Sequence, residues 1–413
     1  MKRRVVTKEV MEEVAVPRSN CSTTTTVAND ETKMQKIVTR TAAGCVMALV
    51  LALILRGGAL YCIIFGIVTQ VELFRELTNV RYVEAKEKST PLFRTLQWSW
   101  FILAMFFTYG ESFHNFCLRH GHMVHITEVT QHLDVAVFSL YCLLFIVTVL
   151  TFKRGLIRFQ ISQLVWTLVT VALVVLQTKF MAQCTLQGIF WFFFPMAAVG
   201  ANDVFAYICG MTCGKKFIQA PFLSISPKKT WEGFIGAAFF TCLFSFYFPL
   251  LLADSPWFTC PVEKLTFIPL PISDVTCSPH SIFLPHEYMI PDHFGGAEVH
   301  SVELRPIQLH GLAYGLFASL VAPFGGFLAS AIKRGYDIKD FDKIIPGHGG
   351  MMDRMDCQLI IHLFTYIHLT SFVIHKTSLV GVGDIVSAAA VLSPDDLARV
   401  HRELSALLAV QVS

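Results

Sequence analysis

Residues 191–210 read WFFFPMAAVGANDVFAYICG. At about 1.5 Å per residue a helix of that length runs about 30 Å, the thickness of a bilayer's hydrocarbon core. The stretch holds a single formal charge, at Asp203. That combination predicts a membrane-crossing helix rather than the core helix of a soluble domain. An acidic group at membrane depth is costly, so Asp203, beside Asn202, is a candidate functional residue; the alternative is a hydrogen bond between packed helices.

This segment extends over 186–210, and eight other apolar segments lie near 39–56, 58–72, 96–110, 135–152, 157–178, 234–253, 309–331 and 358–376. Nine spans predict an all-α polytopic protein embedded in the lipid bilayer. Composition agrees. Of 413 residues only 15% are charged, against about a quarter in soluble domains, and mean hydropathy is +0.55. The net charge of +3, with no basic run interleaved with aromatics, excludes a nucleic-acid partner. The first two segments meet at Arg56, Gly57 and Gly58, which predicts a tight helical hairpin or a kinked single span. Residues 1–40 are polar and read as a disordered cytosolic tail, too polar for a cleaved signal peptide. Residues 41–378 form the transmembrane domain, and 379–413 a tail with an amphipathic helix after Ser393.

Lys and Arg concentrate in cytoplasmic loops. With the N-terminus in the cytosol, the tail and the loops after spans two, four, six and eight hold eight, five, three, four and five of them, 25 of the 33 in the chain. Residues 330–356 then face the cytosol, and residues 254–305 the lumen. The luminal loop carries Cys260 and Cys277, which either pair in an oxidising compartment or stay free thiols. Zinc is not indicated: the twelve cysteines are scattered, and the close pair Cys209 and Cys213 has no partner pair. His114, His120, His122, His125 and His132 are irregularly spaced without a carboxylate pattern, and read as surface histidines rather than a metal site.

The charge that the apolar segments avoid is gathered in residues 330–356, SAIKRGYDIKDFDKIIPGHGGMMDRMD. Lys333, Arg334, Lys339, Lys343 and Arg354 stand against Asp337, Asp340, Asp342, Asp353 and Asp356, around Pro346, Gly347, His348, Gly349 and Gly350. Such a pattern suits a polyphosphate with a hard divalent cation. Glycines admit backbone N–H groups to phosphate oxygens, cations neutralise them, and carboxylates hold the metal. A solvated connecting loop is the bland alternative, and it leaves the glycines beside a histidine without a reason. Residues 226–233, SPKKTWEG, place Lys228 and Lys229 ahead of a helix start, where N–H groups are free; positive-inside flanking with an interfacial Trp explains the same residues. Gly210, Gly214 and Lys215 have the wrong spacing for a phosphate loop and no preceding strand.

Together, Asn202 and Asp203, SPKKTWEGFIG, and SAIKRGYDIKDFDKIIPGHGGMMDRMDCQ resemble the eukaryotic phosphatidate cytidylyltransferases, or CDP-diacylglycerol synthases. The family signature runs Ser, Lys-Arg, Lys-Asp, His-Gly-Gly, Asp-Arg, Asp. Here Ser330, Lys333, Arg334, Lys339, Asp340, His348, Gly349, Gly350, Asp353, Arg354 and Asp356 match it in type and spacing. The likeness runs from about Leu96 to the C-terminal helix and leaves the tail and first hairpin uninformative. It implies a multi-pass enzyme of the endoplasmic reticulum membrane with a cytosolic active site, which transfers the cytidylyl group of CTP to phosphatidic acid and releases pyrophosphate.

The resemblance also implies roles. Asp353 and Asp356 hold Mg²⁺, while Asp340 and Asp203 orient it or hold a second cation. Lys228, Lys229, Lys333, Arg334, Lys339 and Arg354 hold the triphosphate and the lipid phosphate, with Ser226 and Ser330 in the same binding stretches. His348, Gly349 and Gly350 form a turn whose backbone contacts phosphate. A homodimer is left open. Two departures bear on the metal set: Asp342 replaces a small residue of the bacterial signature, and Gly326 stands where bacterial relatives carry a metal-binding Asp. A CTP-dependent polyprenol kinase fits the membrane architecture but not the Lys-Arg and Lys-Asp signature. A CDP-alcohol phosphotransferase needs aspartates four apart, where Asp353 and Asp356 are three apart, and an ion transporter leaves the charged loop without a role.

Overall fold

Each apolar segment folds as helix, and the breaks fall where Gly, Pro or charge interrupts the apolar pattern. The computed structural model describes residues 25–81, 90, 92–119, 132–220, 222–223, 226, 229–262, 265–267, 271–290, 300–374, 389 and 393–412. In chain order the helices are α1 (Thr25–Gly57), α2 (Ala59–Asn79), α3 (Phe93–Arg119), α4 (Leu133–Leu150), α5 (Ile157–Val171) and α6 (Gln177–Leu186). They continue with α7 (Phe190–Cys213), α8 (Trp231–Ala253), α9 (Pro306–Leu320), α10 (Pro323–Gly335), α11 (Met352–His368) and α12 (Pro394–Val412). Among the described residues six stretches are long and apolar enough to cross a membrane, with α5–α6 and α9–α10 each counting as one. The more polar α2, α3 and α11 cover the other three expected segments. The chain is therefore an all-α polytopic membrane protein.

Four local differences from the sequence reading have physical causes. Helix α1 begins at Thr25, inside the stretch expected to be a disordered tail, because residues such as Glu31, Lys33, Met34 and Lys36 are good helix formers and extend a helix that the apolar part has nucleated. Segment 157–178 carries a π-helical turn, Ala172–Leu176, between α5 and α6. Segment 309–331 is two helices, since Pro323 lacks an N–H and restarts the helix at its first position. A β-hairpin, β1 (His286–Ile290) with β2 (His300–Leu304), lies in the loop after α8, antiparallel with His286 opposite Leu304. The side chains of His114, His120, His122 and His125 lie outside the described residues.

Helix α8 packs along both α7 and α9. A Cβ at Gly311 would stand 2.0 Å from the Ser245 carbonyl oxygen, and one at Gly315 2.8 Å from Cys242 Cα. This small-xxx-small spacing lets backbones touch, which matters in lipid, where van der Waals contact rather than water exclusion holds helices together. Phe190, Phe194, Tyr314 and Ile361 form the buried centre where α7, α9 and α11 meet.

Contacts sort the loops into two ends. At one end Trp257 Nε1 donates to the Leu55 carbonyl at 3.0 Å, Val262 N donates to the Leu186 carbonyl at 2.8 Å, and Cys260 is bonded to Cys277 with Cα atoms 5.8 Å apart. The disulfide is thus the alternative realised. At the other end Arg81 Nη1 donates to the Ser162 carbonyl at 2.9 Å, Trp166 Nε1 to the Leu77 carbonyl at 2.9 Å, and Arg75 pairs with Asp342 at 2.9 Å. The loops after the second, fourth and eighth segments therefore share an end, as the Lys and Arg distribution requires.

Candidate active site

At that second end α2 and α10 finish and α11 begins, and residues 336–351 are joined to α2 through Arg75 and Asp342 and to α5 through Trp166 against Tyr336. Phe341, 8% exposed, anchors this loop by turning inward onto Leu73, Leu77, Ala329, Met352 and Met355. Pro346 and Gly347 then reverse the chain. His348 N donates to the Ile345 carbonyl at 2.9 Å and Gly347 has φ +75°, the left-handed value that a type II turn places on glycine after proline. Arg354 holds the turn by donating from Nε (3.1 Å) and Nη2 (2.8 Å) to the His348 carbonyl.

Gly349 N returns to the Ile345 carbonyl at 3.2 Å, and the three N–H groups after it are taken by protein carboxylates. Gly350 N donates to Asp353 Oδ2 at 3.0 Å, Met351 N to Glu76 Oε1 at 2.6 Å, and Met352 N to Glu76 Oε2 at 2.7 Å. Gly349 and Gly350 are needed because a Cβ would stand 2.8 Å from Asp353 Oδ2 in the first case and 2.6 Å from both Glu76 oxygens in the second. The pair of glycines expected to admit phosphate thus admits carboxylates.

Asp353, expected to lead the metal set, is committed within the protein. Its Oδ1 lies 2.5 Å from Lys333 Nζ, its Oδ2 also accepts Phe341 N at 3.1 Å, and the side chain is 6% exposed. It clamps α10, the loop and α11 together. Asp356, one turn on, accepts only from its neighbour Cys357 among the described residues, N to Oδ1 at 2.7 Å and through the thiol. A Cβ at Gly326 would stand 3.3 Å from its Oδ2. The charges of Asp203 and Lys333 reach Asp356, and those of Lys229 and Arg354 reach Asp203. Asp203 and Asp356 are therefore neighbouring carboxylates with open oxygens, the hard donor set that a divalent cation such as Mg²⁺ takes. Asp340 is exposed beside Gly349 and Asp353, its Cβ 3.4 Å from where a Gly349 Cβ would stand, and among the described residues no three His, Cys, Asp or Glu side chains gather into one metal-binding group.

Asn202 behaves as a packing residue, accepting from Thr241 Oγ1 at 3.3 Å across α7 and α8. Ser330 turns its hydroxyl onto the Gly326 carbonyl of its own helix at 2.8 Å. Ser226 makes the turn before α8, its carbonyl accepting Lys229 N at 3.0 Å, and Thr230 caps that helix by accepting Gly233 N at 3.2 Å. Lys229, Arg334 and Lys339 are exposed, and no salt bridge engages them among the described residues. His348 stays at the rim. Lys228 lies outside the described residues.

A cavity of about 360 Å³ opens between α7, α8 and α10. Asp203, Lys229 and Thr230 make its polar end and Phe222, Phe234 and Phe327 its apolar wall.

The match to a family model decides the class. Residues 38–372 fit the model of the cytidylyltransferase family. The chain belongs to the cytidylyltransferase family. Among its relatives, a probable phosphatidate cytidylyltransferase of Dictyostelium discoideum is 39% identical over 83% of this chain and 72% of its own length. The phosphatidate cytidylyltransferase of Saccharomyces cerevisiae is 36% identical over 84% of this chain and 75% of its own, and phosphatidate cytidylyltransferase 1 of Homo sapiens 35% over 76% and 67%. The match starts at residue 38, so the cytidylyltransferase region includes the hairpin α1–α2 that the signature leaves aside. That hairpin supplies Glu76 and Arg75, which sequence motifs miss. The available signal was Glu76 itself, a charge carried within the same helix as an apolar segment.

Proposed function

We propose that this cytidylyltransferase makes CDP-diacylglycerol from CTP and phosphatidic acid at the cytosolic face of the endoplasmic reticulum membrane. The observation that carries the reading is the meeting of Asp203, Lys229, Lys333, Arg354 and Asp356 beside a cavity that is charged at one end and aromatic along its wall.

An ionised oxygen of the lipid phosphate attacks the α-phosphorus of CTP. One P–O bond forms to that oxygen, the bond between the α-phosphorus and the bridging oxygen breaks, and pyrophosphate leaves with the electron pair. In-line transfer of this kind asks for neutralised charge and alignment rather than covalent help from the protein. Asp203 and Asp356 are the residues that would hold Mg²⁺, which would neutralise triphosphate oxygens, and the exposed Asp340 would be left to orient it or to take a second cation. Lys229, at the polar end of the cavity, binds the lipid phosphate while the aromatic wall receives the start of its acyl chains. Arg334, Lys339 and Arg354 bind CTP phosphates from the aqueous side. Lys333 is oriented by Asp353, which leaves its remaining N–H groups directed by a fixed partner.

Purified protein mixed with CTP, phosphatidic acid and Mg²⁺ should release pyrophosphate and CDP-diacylglycerol in equal amounts. With a polyprenol supplied in place of phosphatidic acid, release of CDP and polyprenyl phosphate would instead mark a polyprenol kinase, and product in neither mixture would overturn both readings.

A further inference from the structure

Glu76 is 0% exposed and stands outside the sequence motifs that carry Asp203, Lys229, Lys333, Arg354 and Asp356. A buried carboxylate needs compensation from donors. Its donors are Met351 N and Met352 N, at 2.6 and 2.7 Å, one on each oxygen. These N–H groups belong to the start of α11, where helical N–H groups lack partners and the helix dipole is positive. Its neighbour Arg75 turns away, to Glu72 at 3.2 Å and Asp342 at 2.9 Å. Three consecutive N–H groups, at 350, 351 and 352, are therefore taken by two carboxylates: Asp353 from α11 itself and Glu76 from the hairpin.

We propose that Glu76 is a positioning residue, a cap delivered from the N-terminal hairpin that sets where α11 begins and hence where Arg354 and Asp356 stand relative to Asp203 and Lys229. The proposal rests on reading this end as the nucleotidyl-transfer site. Arg354 and Asp356 lie within the first turn and a half of α11, so a shift of that terminus moves both together. A misplacement of about 1 Å in a transfer site can cost on the order of 100-fold in rate. The Gly350 contact makes the fit close on the other side, since a side chain there would displace the Glu76 carboxylate.

Three full-length variants in detergent or nanodiscs test this. In E76Q the amide accepts from one N–H and presents its NH₂ to the other. E76D keeps the charge but falls short of the helix start. F74L perturbs the buried Phe74 cluster, two residues away in α2, without touching the loop. Backbone hydrogen exchange at 350–353 should speed at least tenfold in E76Q and E76D and stay unchanged in F74L. Turnover at saturating CTP and phosphatidic acid should fall at least tenfold in E76Q, with the KM for phosphatidic acid within twofold, while F74L keeps its turnover per folded molecule despite a lower melting temperature. Wild-type exchange at 350–353 in E76D, or turnover of folded E76Q within twofold of wild type, would overturn the proposal. Should E76Q fail to fold, E76D decides by the same two measurements. If the unaltered protein forms no CDP-diacylglycerol, the functional reading fails, and the exchange measurement alone still upholds or overturns Glu76 as the cap.

Discussion

Lys333 and Asp353 form a salt bridge 2.5 Å long, with side chains 19% and 6% exposed, between the last turn of α10 and the first of α11. The pair belongs to two separate parts of the charged loop sequence, and Phe341 N and Gly350 N complete the aspartate's partners. Charge in this loop therefore divides by task. Some of it builds the loop, and some, Arg334, Lys339 and Asp340 among it, is exposed.

Asp353→Asn should act first on folding. It leaves the Lys333 ammonium half-buried without its counter-charge, and breaking such a pair costs about 3 kcal/mol. We expect a clearly lower melting temperature together with lost activity. A variant that melts like wild type yet is inactive would return Asp353 to the metal.

Asp356→Asn and Asp203→Asn should leave the melting temperature near wild type and lower turnover more than 100-fold, corresponding to a lost transition-state contact of roughly 3 kcal/mol. Titrating Mg²⁺ against each variant checks the cause. A cation site weakened in both would raise the Mg²⁺ needed, and unchanged Mg²⁺ dependence would assign the cation elsewhere.

Asp342→Asn should be tolerated. Its pair with Arg75 is exposed on both sides, 40% and 38%, and pairs of that kind contribute less than about 1 kcal/mol. Turnover and melting temperature are both expected to stay close to wild type; a large drop in either would show Asp342 doing more than joining α2 to the loop.

Reduction should bear on stability alone, because Cys260 and Cys277 lie at the end of the bundle opposite the site. Closing a loop of this size corresponds to about 3 kcal/mol in the chain-entropy model. Replacing both cysteines by serine should lower the melting temperature with turnover retained in the cold. Mass spectrometry of the unreduced protein should find the pair protected from alkylation.

A single cysteine introduced at Lys343 should react with an impermeant reagent from the cytosolic side, and one at Asp274 only once the lumen is opened. The reverse pattern would place the site on the wrong side of the membrane for CTP.

Much of this was legible in the chain. Apolar runs with sparse charge locate the helices, because a bilayer rewards nothing else over 20 residues. The signature locates the loop, since its residue types are dictated by phosphate and carboxylate chemistry. Three kinds of feature were not legible. Pro323 sits inside an apolar run, and hydropathy does not see that it restarts a helix. The roles of Asp353 and Asp356 differ although they are equal in the motif, because only the fold brings Lys333 to one and Asp203 to the other. Glu76 has no motif at all, since what makes it matter is two backbone donors far along the chain.

Glu76 and Met351 are 275 residues apart in sequence. Ribosomes add about 5–20 residues per second, so roughly 14 to 55 seconds separate the synthesis of the carboxylate from that of the first N–H group it accepts. During that interval the acid of α2 has been made but its donors have not, and a truncated chain ending before residue 351 has the cap without the helix that carries Arg354 and Asp356. The site is thus completed only once α11 has been made, and a nascent chain that stops short of it holds no working copy.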